Sequence, residues 1–282
     1  GTLSLPGWLL APVAAIADQS LQNRFPEYKG AREALQAIAI NDDQMSLTYR
    51  YDRALAKQIE QRGRDVLLPA ADRERAIAYY QVLAKTSRSA GATASLDHLL
   101  WPRFSEAPRR SDHTNAAAEN RVLLLVLGTV LNRSSMHRLV GGDPKDLTPS
   151  HRYVKWTLHG RGDLAQHFAI SAAIAAAGHS TLADAIGVFK ELDDSRGGSG
   201  FSFADLLADR AGVQLSTVAT GPDARKLQLA ISEGTSSEAA IMPPIDALPE
   251  GIMEMEFKQR YRDLDDVRYG AVKDEIEQRI AQ

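Results

Sequence analysis

The chain has no cysteine, which excludes disulfides, cysteine-ligated zinc, iron–sulfur clusters and thiol catalysis. It also lacks an excess of either charge. Its 33 Lys and Arg stand against 36 Asp and Glu, a net charge of −3 over 282 residues. A chain so balanced has no global reason to seek nucleic acid or an anionic membrane, and no nucleic-acid partner is expected. Long apolar runs are missing too. The longest, Val122 to Leu131, has ten residues. As a helix it would reach about 15 Å, half of a bilayer core. It reads as a buried core helix, and no membrane-spanning segment is expected. No internal repeat, low-complexity tract or motif of a known reaction is visible. What is present, 44% hydrophobic and 24% charged residues, is ordinary globular composition, at a length that suggests about two domains.

Helical periodicity dominates, so the expected fold is mainly α, a multi-helical array. Leu9 to Leu21, Ala31 to Ile40 and Tyr51 to Gln61 all read as helices. Ala70 to Lys85 follows Pro69 and carries Ala76, Tyr79, Tyr80 and Leu83 as a stripe at i, i+3, i+4 and i+7. Ser87 to Gly91 and Pro102 to Asp112 read as polar loops, the second with Arg103, Arg109 and Arg110. Asn115 to Leu131 reads as a strong helix. Gly141-Gly142-Asp143-Pro144 then breaks the chain and marks the expected boundary. It separates an N-terminal helical array (1–142) from a C-terminal helical core (143–282). A short extended piece is expected near 153–158, where YVKWTL gathers aromatic and β-branched residues. Helices over about Asp163–Ala177, Leu182–Asp194 and Phe203–Gln214 follow. From Asp246 to Gln282, 16 of 37 residues are charged, which reads as a solvated helix packed on one side.

One dense polar constellation stands out between Asp163 and Gly212. At 100° per residue His167 lies beside Ile170, Ser171 and Ile174, on a helix apolar all round and therefore central. A buried imidazole needs a partner for each ring nitrogen. On the next helix Glu191 shares a face with Asp184 and Asp194, opposite an apolar stripe. The glycines of Gly197-Gly198-Ser199-Gly200 permit a tight turn with positive φ. Ser202-x-x-Asp205 has the form of a capping box with Asp in place of Glu. Asp205 and Asp209, at i and i+4, repel each other unless a cation offsets them.

The pattern H-F-x3-S, then K-E-x-x-D-S-R-G-G-S-G-F-S-x-x-D-L-x-A-D-x-A-G, resembles exported bacterial proteins of the YfiM type, predicted periplasmic lipoproteins. More distantly it is similar to VanZ-like membrane proteins. In the latter a His-Phe on one helix, a Glu on the next and an Asp opening a third recur in this order; His167, Glu191 and Asp205 match those positions. The resemblance covers residues 163–212 and implies an exported, periplasmic protein whose activity it does not define. The flanks here lack the membrane-spanning helices of the VanZ-like pattern. Gly1 in place of an initiator Met agrees with a natural start removed together with a signal peptide.

Several chemistries compete for these residues. A divalent metal could be held by His167, Glu191, Asp205 and Asp209, with an open position for water. The H-E-x-x-H spacing of zinc peptidases is absent, although His151 and His159 could join His167. The competing structural reading is a buried network in which His167 pairs with a carboxylate while Ser202 and Asp205 cap a helix. Ser171 and Asp163 lie one turn either side of His167, but a Ser/His pair on one helix rarely gives attack geometry. Glu191 and Asp205 could form a carboxylate pair for hydrolysis. Gly197 to Gly200, with Lys190 or Arg196, could cradle an anion, though Asp205 in the following turn opposes it. Arg161-Gly162-Asp163 spells an adhesion tripeptide that chance and helix capping explain. The favoured expectation is a non-catalytic binding or scaffolding protein of the cell envelope, engaging an unknown envelope component. In it Lys190, Glu191, Asp194, Arg196, Ser202 and Asp205 hold an ordered loop between helices. The alternative is a metal-dependent hydrolase of an envelope polymer or peptide, with Glu191 as ligand or general base.

Overall fold

In the computed structural model the described residues are 2–6, 35–41, 44–49, 64–65, 67–141, 144–178, 200–233 and 237–281; side chains are described from residue 64 onward, except at several positions in 101–109 and 144–146. Contacts divide the chain into two compact units, Gly1–Val66 and Leu67–Gln282. Among the described residues the fold is mainly α, with nine α-helices.

The first unit contains a three-stranded antiparallel sheet of β1 (Thr2–Pro6), β2 (Leu35–Asn41) and β3 (Gln44–Tyr49), in the order β1-β3-β2. Thr2 pairs with Thr48, and Pro6 and Asn41 both meet Gln44. The register between β2 and β3 shifts between Leu35 and Ala37, so Gln36 is the extra residue of a bulge. This corrects the helix expected over Ala31 to Ile40. Met45, Leu47 and Tyr49 alternate with Ser46 and Thr48, a period of two that selects a strand and recruits the Ile38/Ile40 alternation beside it. The helices expected at Leu9–Leu21 and Tyr51–Gln61 lie outside the described residues.

The second unit runs α1 (Ala70–Ser89), β4 (Thr93–Ser95), α2 (Asp97–Arg110), α3 (Ala116–Leu131), α4 (Met136–Val140), β5 (Lys155–Thr157), α5 (Gly162–Ala176), α6 (Phe203–Thr220), α7 (Ala224–Glu233), α8 (Glu254–Tyr261) and α9 (Val267–Ile280). The expected extended piece is β5, which pairs in parallel with β4 in the register Ala94 to Trp156. The expected loop over Pro102 to Asp112 is instead mostly helix, since α2 continues to Arg110. A proline inside a helix costs about 3 kcal/mol, and α2 contains two. Burial of Leu96, Leu99, Leu100, Phe104 and Ala107 along one face outweighs that cost.

Helix α5 is the centre. Its most extensive partners among the described residues are α6 and α3. Glycines set both approaches. A Cβ on Gly212 of α6 would fall 2.2 Å from the Phe168 carbonyl oxygen, and one on Gly128 of α3 would fall 2.4 Å from the Ala173 Cβ. Leu164, Ala165, Phe168, Ala169 and Ala172 are fully buried in consequence, as expected of a helix apolar all round. Val122 to Leu127 of α3 are buried as well, and no described helix is long and apolar enough to cross a membrane.

The charged C-terminal stretch is two helices, and they belong to the core. Phe257, Tyr261 and Tyr269 surround Phe201 and Phe203 with ring centroids 4.7 to 6.2 Å from them. Arg210 of α6 pairs with Glu277 of α9 through two bonds of 2.6 and 2.9 Å. Just before α6, Phe201 and Ile252 form an antiparallel bridge. Gly200, at φ +87°, lies so close to Gly251 that a Cβ would meet its backbone at 2.4 Å. These contacts fix the start of α6, and with it the site.

Candidate functional site

The start of α6 is capped as its sequence predicts. The Ser202 hydroxyl accepts the Asp205 N–H at 3.1 Å. That cap turns Asp205 and, one helical turn later, Asp209 toward α5. His167 of α5 faces both. Its Nδ1 is 3.2 Å from each Asp209 carboxylate oxygen, and its Nε2 is 3.5 Å from Asp205 Oδ2. A carboxylate only accepts, so Nδ1 donates to Asp209. Ser171, one turn further along α5, donates to Asp209 Oδ1 at 2.7 Å. All four side chains are buried, with exposures of 4 to 8%.

Arg161, just before α5, supplies the cation that the two aspartates require. Its guanidinium bonds Asp205 Oδ1 at 3.0 Å, grips Asp163 with bonds of 2.6 and 3.2 Å, and pairs with Glu250. Hydrogen bonding to Asp163 leads the causes that hold Arg161 above its ordinary pKa. Burial pulls Asp163 upward, but the Arg161 bonds and charge more than offset it, leaving that carboxyl below the usual range. Asp163 sits in the first turn of α5, where the helix dipole favours a negative charge.

The structure therefore brings His167, Ser171, Ser202, Asp205 and Asp209 together from two helices. Lys190, Glu191, Asp194 and Arg196 lie outside the described residues. The Ser/His pairing does not form, because the Ser171 proton is directed to Asp209. Nor do the other histidines join. His151 Nδ1 and backbone N–H both meet the Tyr80 hydroxyl at 3.2 Å, and His159 Nε2 lies 3.2 Å from the Met242 carbonyl. Among the described residues no group of three or more His, Asp or Glu is placed to hold a metal. Within the network each ring nitrogen of His167 meets a carboxylate, and Arg161 already balances Asp205.

Sequence reasoning missed Arg161 and Glu250. Two acids and one histidine in a buried cluster call for a cation, and Arg161 is the arginine just before the His167 helix. Nothing in the sequence pointed to Glu250, 89 residues away. A second buried ion cluster was missed as well. Glu119, 3% exposed, accepts the Tyr79 hydroxyl at 2.7 Å and pairs with Arg75 at 2.7 Å, while Arg110 of α2 lies over the Tyr79 ring. Burial, then the bond to Glu119, pushes the Tyr79 phenol well above its usual pKa.

Compared with protein-family models, with curated proteins and with solved structures, the chain has no match in any of the three.

Proposed function

We propose that the protein is a non-catalytic binding or scaffolding component of the cell envelope, and that the His167 cluster is a structural clamp. The observation that carries this reading is the pairing of the cluster's members with one another. His167, Ser171, Asp209, Asp205 and Arg161 engage one another across α5, α6 and the segment before α5, and the first four are buried. Breaking a buried pair by deleting one partner costs about 3–5 kcal/mol, so a clamp of this kind holds two glycine-packed helices in one register. The envelope assignment rests on the resemblance of residues 163–212 to YfiM-type exported proteins.

The test is metal analysis of protein purified without chelator, together with thermal melting of Asp209→Ala and His167→Ala. The clamp predicts metal well below stoichiometric and a large fall in melting temperature in both variants. Near-stoichiometric metal that disappears in His167→Ala would overturn it in favour of a metal-dependent hydrolase.

A further inference from the structure

A cleft of about 280 Å³ opens beside the clamp, between the end of α3, the chain from His151 to Trp156 and the start of α5. Its floor is apolar, made by Val130, Leu131, Val154 and Trp156, all buried. Three permanent cations, Arg133, Arg152 and Lys155, line it. None of them pairs with a carboxylate among the described residues, and the Lys155 ammonium makes no hydrogen bond to them. Arg152 spends one nitrogen on the Ala90 and Gly91 carbonyls beyond the end of α1. Among the described residues the one carboxylate on the rim is Asp163, which shares Arg161 with Asp205 and Glu250. With three cations against one carboxylate, the described lining thus presents a surplus of two positive charges over an apolar floor.

The backbone at Arg133 adds an independent sign. Helix α3 ends in a Schellman turn, with Ser134 N–H to the Thr129 carbonyl at 2.9 Å and Arg133 N–H to the Val130 carbonyl at 3.0 Å. The residue at the left-handed position of such a turn is usually glycine. Here it is Arg133, at φ +54°. The strained position holds its guanidinium 4.6 Å above the centre of the exposed Tyr153 ring and 2.8 Å from that hydroxyl. A residue kept in a disfavoured conformation, with its charge fixed at the mouth of a cleft, is a reason to look for a function there.

We propose that this cleft binds a small organic phosphate, its anionic group held by Arg133, Arg152 and Lys155 and its carbon portion on the apolar floor. A surplus of two charges suits a dianion better than a single carboxylate. Guanidinium forks match phosphate oxygens, and lysine serves as a point charge. The volume suits a ligand of a few carbons. The phosphate could belong to a soluble metabolite or to a lipid headgroup. The proposal does not depend on the role of the His167 clamp, whose test reads metal content and melting.

The experiment is calorimetric titration of the full chain with glycerol 3-phosphate at low salt, with glycerol and succinate as controls. Sedimentation with vesicles of phosphatidylglycerol and phosphatidylcholine, against phosphatidylcholine alone, runs in parallel. The variants are Arg133→Gly and Lys155→Gln, both at exposed positions. Saturable phosphate binding is expected, weakened roughly tenfold or more by each variant. Arg133→Gly should melt at or above the wild-type temperature, because glycine relieves the backbone. Binding of the soluble ester alone assigns a metabolite; variant-sensitive vesicle binding assigns a headgroup. Absence of both kinds of binding, an affinity unchanged in either variant, or succinate binding as tightly as the phosphate would each overturn the proposal.

Discussion

Replacing Gly212 by alanine is the sharpest test of how the clamp is built. In an isolated helix Gly→Ala is favourable by about 1 kcal/mol. Here the new methyl would stand 2.2 Å from the Phe168 carbonyl oxygen and 3.0 Å from the Ala172 nitrogen, where ordinary contact begins near 3.4 Å. Those are backbone atoms of α5 and cannot rotate aside, so the helices must part by about an ångström. A gap of 0.5–1 Å forfeits a quarter to a half of each dispersion contact it opens, and overpacking of this kind costs about 1–3 kcal/mol or more. Gly212 lies one turn beyond Asp209, and Phe168 adjoins His167, so the same displacement stretches the clamp. Because the clash is with backbone, the upper end of that range applies, and after the helix-propensity gain is subtracted a net loss of about 2 kcal/mol is expected. At about 2–4 °C per kcal/mol for a unit of this size, the melting temperature should fall by roughly 4–8 °C. The control is Gly270→Ala in α9, where an added Cβ meets nothing within 4 Å. There a gain of about 0.5–1 kcal/mol is expected. Thermal and urea unfolding followed by circular dichroism read both. If Gly212→Ala melts with or above the wild type, the account of α5 and α6 as a glycine-set pair is wrong.

Three further outcomes follow from the same geometry. Ser171→Ala should cost about 1–2 kcal/mol in urea unfolding, since it removes one hydrogen bond to a buried carboxylate. Glu119→Ala should cost about 2–3 kcal/mol, because it leaves the buried Tyr79 hydroxyl without its acceptor and removes a charge-assisted bond from Arg75, which keeps Asp72, whereas Tyr79→Phe should cost only about 1 kcal/mol; equal losses would deny that Glu119 does more than accept from Tyr79. Burial lowers the pKa of His151, whose neutral ring accepts from Tyr80. The unfolded state therefore takes up the proton first, so the stability tied to the neutral ring is present above about pH 6.5 and is lost as pH falls toward the folded value. Wild-type stability should drop more steeply than that of His151→Asn between about pH 6.5 and 5, and parallel curves would refute this.

Where a segment carried one strong period and was buried on its own terms, it was legible from residues alone. Helix α1 with its Ala76, Tyr79, Tyr80 and Leu83 stripe, the apolar α3 and the all-round apolar α5 are of this kind. The Ser202 cap was legible because capping is local chemistry. Helix α2 was not, since two prolines and three arginines outvoted a face whose value depends on partners distant in sequence. The first-unit strands were hidden because short apolar runs fit either period, and their hydrogen-bond partners lie on other strands. At the site, periodicity placed His167, Asp205 and Asp209 on the right helices. It could not supply Arg161 or Glu250, whose roles arise only when separate segments meet.

The aromatic collar around Phe201 has a practical meaning for anyone who shortens the chain. A fragment ending before Glu250 would lose the strand-like pairing with Ile252, three of the five rings, and one of the anions on Arg161. Two bare phenylalanines would then greet solvent beside an arginine that has lost one of its three carboxylates. Such a truncation should yield sticky, aggregating material instead of a smaller stable domain, so recombinant boundaries belong beyond Ile280.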